Sequence, residues 1–396
     1  MMKDSEKPGK SDMSEQRKPV MIFPMIQPGF TAGRMGREVP LNLPAITQSF
    51  VVDTLSTAVG MVPVVDSRLT RQDHVGSLKA RFGIGRMNYR VDPGLYALGR
   101  PDESAPVLVS ANYKLSFDCL REALPGRTAW ILVLDTNGIN VWCAAGKGAF
   151  GTEEVVRRLR SSGLEKLVKH RRLILPQLGA SGVAAHEVRK QTGFAVSYGP
   201  VEARDLPAYL DAGMKATEAM RRKNFPFRDR LVLIPMECLP ALKPLFLLTL
   251  FFLIAGGIVQ GPRWTVEPTL NSGIFMTFAL LGAFFAGTIF TPAFLPWLPG
   301  RAFSAKGLCP AWIVVLILLE SRLTFPLSLP RVLESFSVLF LVPAAASYWA
   351  MKFTGSTPIT SLSGVRKEMR RALPLQIAGA LIGLGCWAAA KLLRVL

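Results

Sequence analysis

The chain has 396 residues and a formal net charge of +19 at pH 7, with 47 Lys and Arg against 28 Asp and Glu. That length suits two domains, and a positive mean hydropathy of +0.29 despite 19% charged residues excludes a uniformly polar soluble chain. The basic excess does not indicate nucleic acid: no zinc-finger spacing, RNA-binding sheet motif or basic heptad accompanies it, and much of it borders apolar runs where anionic lipid is the simpler partner.

Residues 1–44 are rich in Lys, Ser, Pro and Gly, lack the apolar core of a signal peptide, and read as a disordered basic extension. Residues 45–105 show no clear period; the apolar stretch Met61 to Val65 is followed by the basic segment Arg68 to Arg90. From Pro106 a regular alternation begins. Strands are expected at Val107–Ser110, Ala129–Leu134, Leu173–Leu175, Ala195–Tyr198 and Leu231–Ile234, and helices at Leu115–Leu124, Thr152–Ser161, Val183–Thr192 and Leu206–Lys223. Such alternation implies βαβ units and a mostly parallel, Rossmann-like α/β domain over residues 45–235.

Residues 236–396 read as an all-α transmembrane domain of about five helices. The expected spans are Pro244–Gln260, Gly273–Pro292, Lys306–Leu319, Val332–Met351 and Pro374–Leu393, the third weakened by its length and by Pro310. Basic residues before the first span (Arg221, Arg222, Lys223, Arg228, Arg230, Lys243) and between the last two (Lys352, Arg366, Lys367, Arg370, Arg371) place both segments in the cytoplasm. The expectation is therefore a multi-pass protein of the inner, cytoplasmic membrane with its α/β domain in the cytoplasm. Its five cysteines are 119, 143, 238, 309 and 386, without a CxxC pair. That spacing opposes an iron–sulfur or zinc site built by this chain alone and suits a reducing compartment.

Ligands of parallel α/β sheets sit beyond the carboxyl ends of the strands. Those ends carry Asn112 after the first strand, Thr136 after the second, Gln177, Gly179 and Ser181 after the third, and Gly199 after the fourth. Small and neutral hydrogen-bonding residues suit close approach of a large, amide-bearing cofactor better than a phosphate-rich one. The same residues are also ordinary loop formers.

Residues Asn140-Val141-Trp142-Cys143-Ala144-Ala145-Gly146-Lys147-Gly148 follow the second strand. Asn140 is a good N-cap for a helix beginning near Val141, which puts Cys143 in the first turn, where backbone N–H groups and the helix dipole favour thiolate. A Walker loop is excluded by Val141 and Gly148 at the positions requiring Gly and Ser or Thr, and no GxGxxG follows a strand. His74, His170 and His186 offer Cys143 no local general base. Histidine-ligated cobalamin binding fails on spacing, since His74 lies in Asp73-His74-Val75-Gly76. What remains is a soft thiolate able to act as axial ligand to a cofactor-borne transition metal, or a cysteine serving only as a small packing residue. Trp142 offers a broad apolar surface, Ala144, Ala145 and Gly146 leave a helix face bare, and Lys147 adds a positive charge one turn on.

The run Asn140 to Lys147 resembles the cap-helix signature of the mercury-methylating corrinoid proteins of the HgcA family. Val91 to Tyr96 and Pro106 to Asp118 resemble the same family upstream, and Thr357-Pro358 and Thr360 to Met369 resemble its membrane region. The likeness extends over roughly residues 85–395. It implies a domain related to the corrinoid iron–sulfur protein large subunit, whose members lack a cysteine in the equivalent segment. It further implies a corrinoid (cobalamin or a related cobamide) bound base-off, with Cys143 ligating cobalt. The implied activity is corrinoid-dependent methyl transfer: a methyltetrahydrofolate-linked donor would give methyl-Co(III), which would pass the methyl group to Hg(II) and form methylmercury. A separate ferredoxin-like 4Fe–4S protein would be the reductant. Two other readings stay open: a membrane-anchored corrinoid methyl carrier of acetyl-CoA-type one-carbon metabolism, and a transporter with a cytoplasmic regulatory domain. Against the transporter, Glu320, Arg331, Glu334 and Lys352 fall near span ends.

Overall fold

In the computed structural model, residues 40–258, 266–323, 328–357, 360 and 362–395 are described. Residues 1–39, the part of the first expected span beyond 258, and Pro358 of the membrane-region resemblance lie outside them. Residues 40–44 are held to the α/β part: Asn42 N donates to Ser161 O at 2.8 Å, and Pro44 packs on Gly94.

Seven strands form one mixed sheet: β1 (Val51–Thr57), β2 (Gly60–Val65), β3 (Gly94–Leu98), β4 (Val107–Ala111), β5 (Ala129–Leu134), β6 (Arg172–Leu175) and β7 (Ala195–Tyr198), in the order β1-β2-β3-β5-β4-β6-β7. Strands β5, β4, β6 and β7 run parallel, whereas β3 is antiparallel to β5 and β1 is antiparallel to β2. The sheet is thus parallel where the sequence alternates and mixed where it was unreadable. Pro63 of β2 faces Thr54 of β1, and β3 pairs only with Val64 and Val65, so the proline has a single strand neighbour and is tolerated.

Both faces of the central strands are buried, which is why they read as continuous apolar runs. Val107, Val109, Trp130, Leu132, Leu173 and Leu175 face one core, shared with α3 (Val141–Lys147), α4 (Thr152–Ser162) and α5 (Ala185–Thr192). Leu108, Ile131, Val133 and Ile174 face the other, shared with α2 (Lys114–Glu122) and α6 (Leu206–Asp211). After β4 the chain adds β5 on one side and returns to add β6 on the other. The carboxyl ends of β4 and β6 therefore form the topological switch point, where a crevice must open.

A buried ion network fixes α1 (Arg71–Arg81) to α2. Lys114 Nζ lies 2.5 Å from Asp73 and 2.7 Å from Asp118; Arg121 lies 2.8 Å from Asp73 and 2.9 Å from Asp118. Burial alone would raise the Asp73 carboxyl, but hydrogen bonds from Lys114 and Thr70 outweigh it and hold it well below the usual carboxylate range.

Two expected elements differ. The segment Leu231–Ile234 is helical, inside α7 (Phe227–Ile258); a short apolar run has no period that separates strand from buried helix. The helix expected over Leu206–Lys223 ends at Asp211, because Gly213 and Met214 take positive φ values of 65° and 64°. The expected domain boundary at 235/236 falls within the continuous helix α7.

Among the described residues, five helices are long and apolar enough to cross a membrane: Phe227–Gly256, Ser272–Ala293, Phe303–Arg322, Leu329–Gly355 and Ser363–Arg394. They belong to α7, to α8 (Val266–Phe285) with a π turn and the short α9 (Thr291–Ala293), and to α10 (Phe303–Leu323), α11 (Leu329–Lys352) and α12 (Leu362–Val395). Small residues let the helices approach closely: a Cβ on Gly307 would lie 2.6 Å from Ala350 Cβ, and one on Gly287 2.5 Å from Ala346 O. Glu334, fully buried in α11, accepts from Ser272 Oγ at 2.5 Å and pairs with Arg394 at 2.9 Å and Arg322 at 3.3 Å.

Candidate functional site

The loop from β5 to α3 is built on Asn112, at the end of β4. Its Oδ1 accepts from Thr136 N at 3.0 Å and Gly138 N at 2.9 Å and lies 2.8 Å from Thr136 Oγ1, while its Nδ2 donates to Asp135 Oδ1 at 3.2 Å. Asn112 and Thr136 are buried and internally satisfied, so these two predicted cofactor residues shape the loop rather than present free polar groups. The turn uses positive φ at Asn137 (56°) and Gly138 (73°), which Asn and Gly tolerate best. It delivers Asn140 in an extended conformation, with its Oδ1 accepting from Cys143 N at 3.0 Å. Gly148, at φ 83°, closes α3.

Val141, Trp142 and Cys143 are half-buried, Ala144 and Ala145 are buried, and Gly146 and Lys147 are exposed. The two alanines belong to the sheet core, Ala145 packing on Gly182; they do not leave the bare ligand-facing surface that the sequence suggested. The face of α3 left toward solvent starts at its first turn.

A crevice of about 300 Å³ lies at the switch point. Leu108 and Ser110 of β4, Leu175 and Pro176 after β6, Gly199 and Pro200 after β7, and Tyr113, Ser116 and Cys119 beside α2 form its walls, and Asn140, Val141 and Trp142 border it from α3. Among the described residues, no Asp, Glu, Lys or Arg lines it. Gly199 donates its N–H to Leu175 O at 2.8 Å, and a Cβ there would lie 3.1 Å from Ile174.

The remaining predicted residues stand apart from the crevice. Gln177 Oε1 accepts from Arg221 at 2.6 Å, Gly179 is buried where a Cβ would strike Phe150 at 2.5 Å, and Ser181 is exposed. Cys143 itself does not line the crevice; it sits on the flank of α3 beside the residues that do. Among the described residues no group of three or more His, Cys, Asp or Glu could hold a metal ion.

Burial pushes the Cys143 thiol above its ordinary range, with Lys147, Arg86 and the Asn140 side chain opposing the shift. Desolvation is thus the larger influence on the sulfur, against the thiolate preference expected from its place in the first turn. A metal would have to displace the proton.

Arg86, Tyr113 and Cys119 were not legible as site residues. The Arg86 guanidinium stands 5.6 Å from the Tyr113 ring centroid and donates to Met236 Sδ on α7. Burial raises the Tyr113 hydroxyl, and Arg86 opposes that too. Arg86 lies in a short 3₁₀ turn (Arg86–Asn88) with no hydrophobic period, so the sequence gives no local signal for its position. Tyr113 directly follows Asn112 at the end of β4, and that placement is a usable signal.

Residues 77–210 match the family model described as CO dehydrogenase/acetyl-CoA synthase delta subunit. The acetyl-CoA decarbonylase/synthase complex subunit gamma of Methanopyrus kandleri is 35% identical over 123 residues, 31% of this chain and 26% of that protein. The same subunit of Methanothermobacter thermautotrophicus is 34% identical over equal shares. The corrinoid/iron-sulfur protein large subunit of Moorella thermoacetica is 29% identical over 127 residues, 32% of this chain and 28% of that protein. The chain spans about a quarter of the length of these curated relatives. Residues 77–210 thus form a domain similar to the corrinoid iron–sulfur protein large subunit, and the match, running from α1 to α6, excludes the β1–β2 hairpin and all five spans.

Proposed function

We propose that the chain is a membrane-anchored, corrinoid-dependent methyltransferase that passes a methyl group to Hg(II), with Cys143 as the residue that would hold the corrinoid's cobalt through sulfur. The observation that carries this reading is the Asn140-capped first turn of α3, which holds a free, half-buried cysteine beside a neutral switch-point crevice. Relatives of the matched segment include a protein whose name says corrinoid. The crevice fits such a group: its walls are apolar or carry neutral hydrogen-bonding atoms from Ser110, Tyr113, Ser116 and Asn140, as the amides of a flat macrocycle require. When bound, the corrinoid would supply a cobalt centre able to accept a methyl group and release it to a soft electrophile.

The chain's own residues have distinct tasks. Asn140 fixes the first turn of α3 and so positions the sulfur. Lys147 and Arg86 lower the cost of holding that sulfur as thiolate, and Trp142 and Val141 keep water from the crevice side of the helix. A soft anionic sulfur is the ligand that best supports transfer to a soft cation such as Hg(II). A methyltetrahydrofolate-linked donor and a ferredoxin-like 4Fe–4S reductant complete the proposal, with the α/β domain on the cytoplasmic side of the inner membrane.

The named relatives favour a second reading, methyl carriage in one-carbon metabolism. Purified methyl-loaded protein, offered Hg(II) or an acetyl-CoA synthase, separates the two. Methylmercury formation by the wild type, its loss in Cys143→Ala, and a corrin absorbance band altered by that substitution are expected. Transfer only to the synthase would replace Hg(II) as acceptor, and a corrin spectrum indifferent to Cys143→Ala would reject the sulfur ligand.

A further inference from the structure

A second cavity, of about 1020 Å³, opens among α10, α11 and α12. It lies at the end of the bundle nearest the α/β domain, where Phe303 and Phe353 pack against Phe225 and Leu233. Its rim is basic. Arg301, Lys367 and Arg371 line it, and among the described residues no carboxylate forms an ion pair with any of them. Glu368, the acidic residue in the lining, is already engaged, accepting from Ser304 N at 2.6 Å. Below the rim the wall is apolar and open to the outside of the bundle: Trp312 is 47% exposed, Phe340 37% and Leu375 74%. Buried polar atoms in the lining also lack partners. Gln376 Nε2 donates to Ser347 Oγ at 2.9 Å, yet Gln376 Oε1 accepts no hydrogen bond, and Thr354 Oγ1 is unpaired as well.

A cationic rim, unpaired buried polar atoms and an apolar wall facing lipid match one amphiphile from end to end. We propose that this cavity binds an anionic glycerophospholipid, its phosphate held by Arg301, Lys367 and Arg371, a headgroup hydroxyl donating to Gln376 Oε1, and an acyl chain lying along Trp312, Phe340 and Leu375. Basic pockets between membrane helices near a charged leaflet are suited to such headgroups. A free phosphate would use the rim and leave the apolar wall uncovered; a zwitterionic lipid would cover the wall and bring a cation to the basic rim. The site is independent of the corrinoid assignment, since none of these residues lies in the α/β part.

The test uses the full-length protein in mixed micelles of equimolar phosphatidylglycerol and phosphatidylcholine, with retained lipid counted by native mass spectrometry. One phosphatidylglycerol per chain is expected, in clear excess over phosphatidylcholine. The double variant Lys367→Gln/Arg371→Gln should lower retention roughly 30-fold, the effect of removing two basic side chains from a headgroup site. Arg366→Gln/Arg370→Gln removes the same charge from the same helix outside the cavity and should retain lipid like the wild type. Equal loss in both double variants would show diffuse attraction and overturn the proposal, as would no loss in either. Equal retention of the two lipids would overturn its headgroup selectivity, and displacement of the lipid by inorganic phosphate at matched concentration would reduce the site to an anion site.

Discussion

Asn140→Ala isolates what the cap of α3 contributes. The substitution removes the acceptor that Cys143 N–H uses at 3.0 Å and leaves the thiol in place. Loss of an N-cap costs about 1 kcal/mol. A seven-residue helix is far too short to be stable alone, and the other ties of α3 include the burial of Ala144 and Ala145, the packing of Val141 on the sheet core, and the bonds from Ala144 N to Asn140 O at 2.9 Å and from Phe150 N to Ala144 O at 3.2 Å. The cap is one of the contacts that order the first turn, and corrinoid affinity should fall about 5-fold, the equivalent of that energy. Asn140→Asp separates order from charge. It retains an acceptor and should keep α3 formed, but its carboxylate near Cys143 Sγ would push the thiol further up and move corrinoid binding to higher pH. Absorbance titration of corrinoid into the three proteins, paired with amide exchange at residue 143, reads both effects. If Asn140→Ala exchanged faster at residue 143 yet bound corrinoid within about twofold of wild type, α3 would not position the ligand and the reasoning would fail.

Asp118→Ala should be severely destabilising, because Lys114 and Arg121 would then share Asp73 alone and leave a buried charge uncompensated, at about 3–5 kcal/mol; denaturant unfolding followed by proteolysis within residues 66–122 measures it, and a cost under about 1 kcal/mol would contradict the network's role. The pH sign follows from Asp73, whose carboxyl is depressed in the folded state: its contribution is full above the unfolded value of about 3.9 and is lost only as pH falls toward the folded value, so wild-type stability owed to this network should be flat between about pH 5 and 8. In the bundle, Gly307→Leu should abolish recovery of monodisperse protein, since a Cβ alone already meets Ala350 at 2.6 Å, whereas Gly385→Leu, with nothing within 4 Å, should be tolerated; equal recovery would refute the close approach of α10 and α11. Cys143 alkylation in cofactor-free protein should reach half its maximal rate above the ordinary thiol range, and Lys147→Ala should move it higher still, because removing a cation disfavours thiolate; peptide mass spectrometry across pH checks this, and a midpoint below that range would refute it.

The central strands were legible because burial on both faces turns β4, β5 and β6 into apolar runs bounded by turn residues, while the half-buried edge strand β7 was marked by its spacing from α5. The cap was legible because Asn140 before an apolar turn has a local hydrogen-bonding logic. Legibility ended where long-range contacts decide the outcome. The hairpin β1–β2 lies in a segment without a clear period, and its Pro63 is acceptable because β3 reaches only Val64 and Val65. Leu231–Ile234 has β-rich composition but continues into a membrane helix. Ala144 and Ala145 looked like a bare surface because the sequence cannot say which face of a short helix meets the sheet, and the same ignorance concealed the burial that raises the Cys143 thiol. Asn112, Thr136 and Gly179 were expected to contact a cofactor, whereas their observed partners are the cap loop and Phe150: a polar or small residue at a strand end serves either purpose until its partners are known.

Arg86 connects these levels. It contacts Met236 on the first span, stands over the Tyr113 ring at the crevice, and is one of the two cations that favour the Cys143 thiolate. The segment carrying it also abuts the cap loop, with Met87 O placed 3.1 Å from where a Gly138 Cβ would stand. Desolvation of the sulfur is local to α3, but part of its electrostatic compensation comes from Arg86, a residue of a separate turn that also touches Met236 on α7.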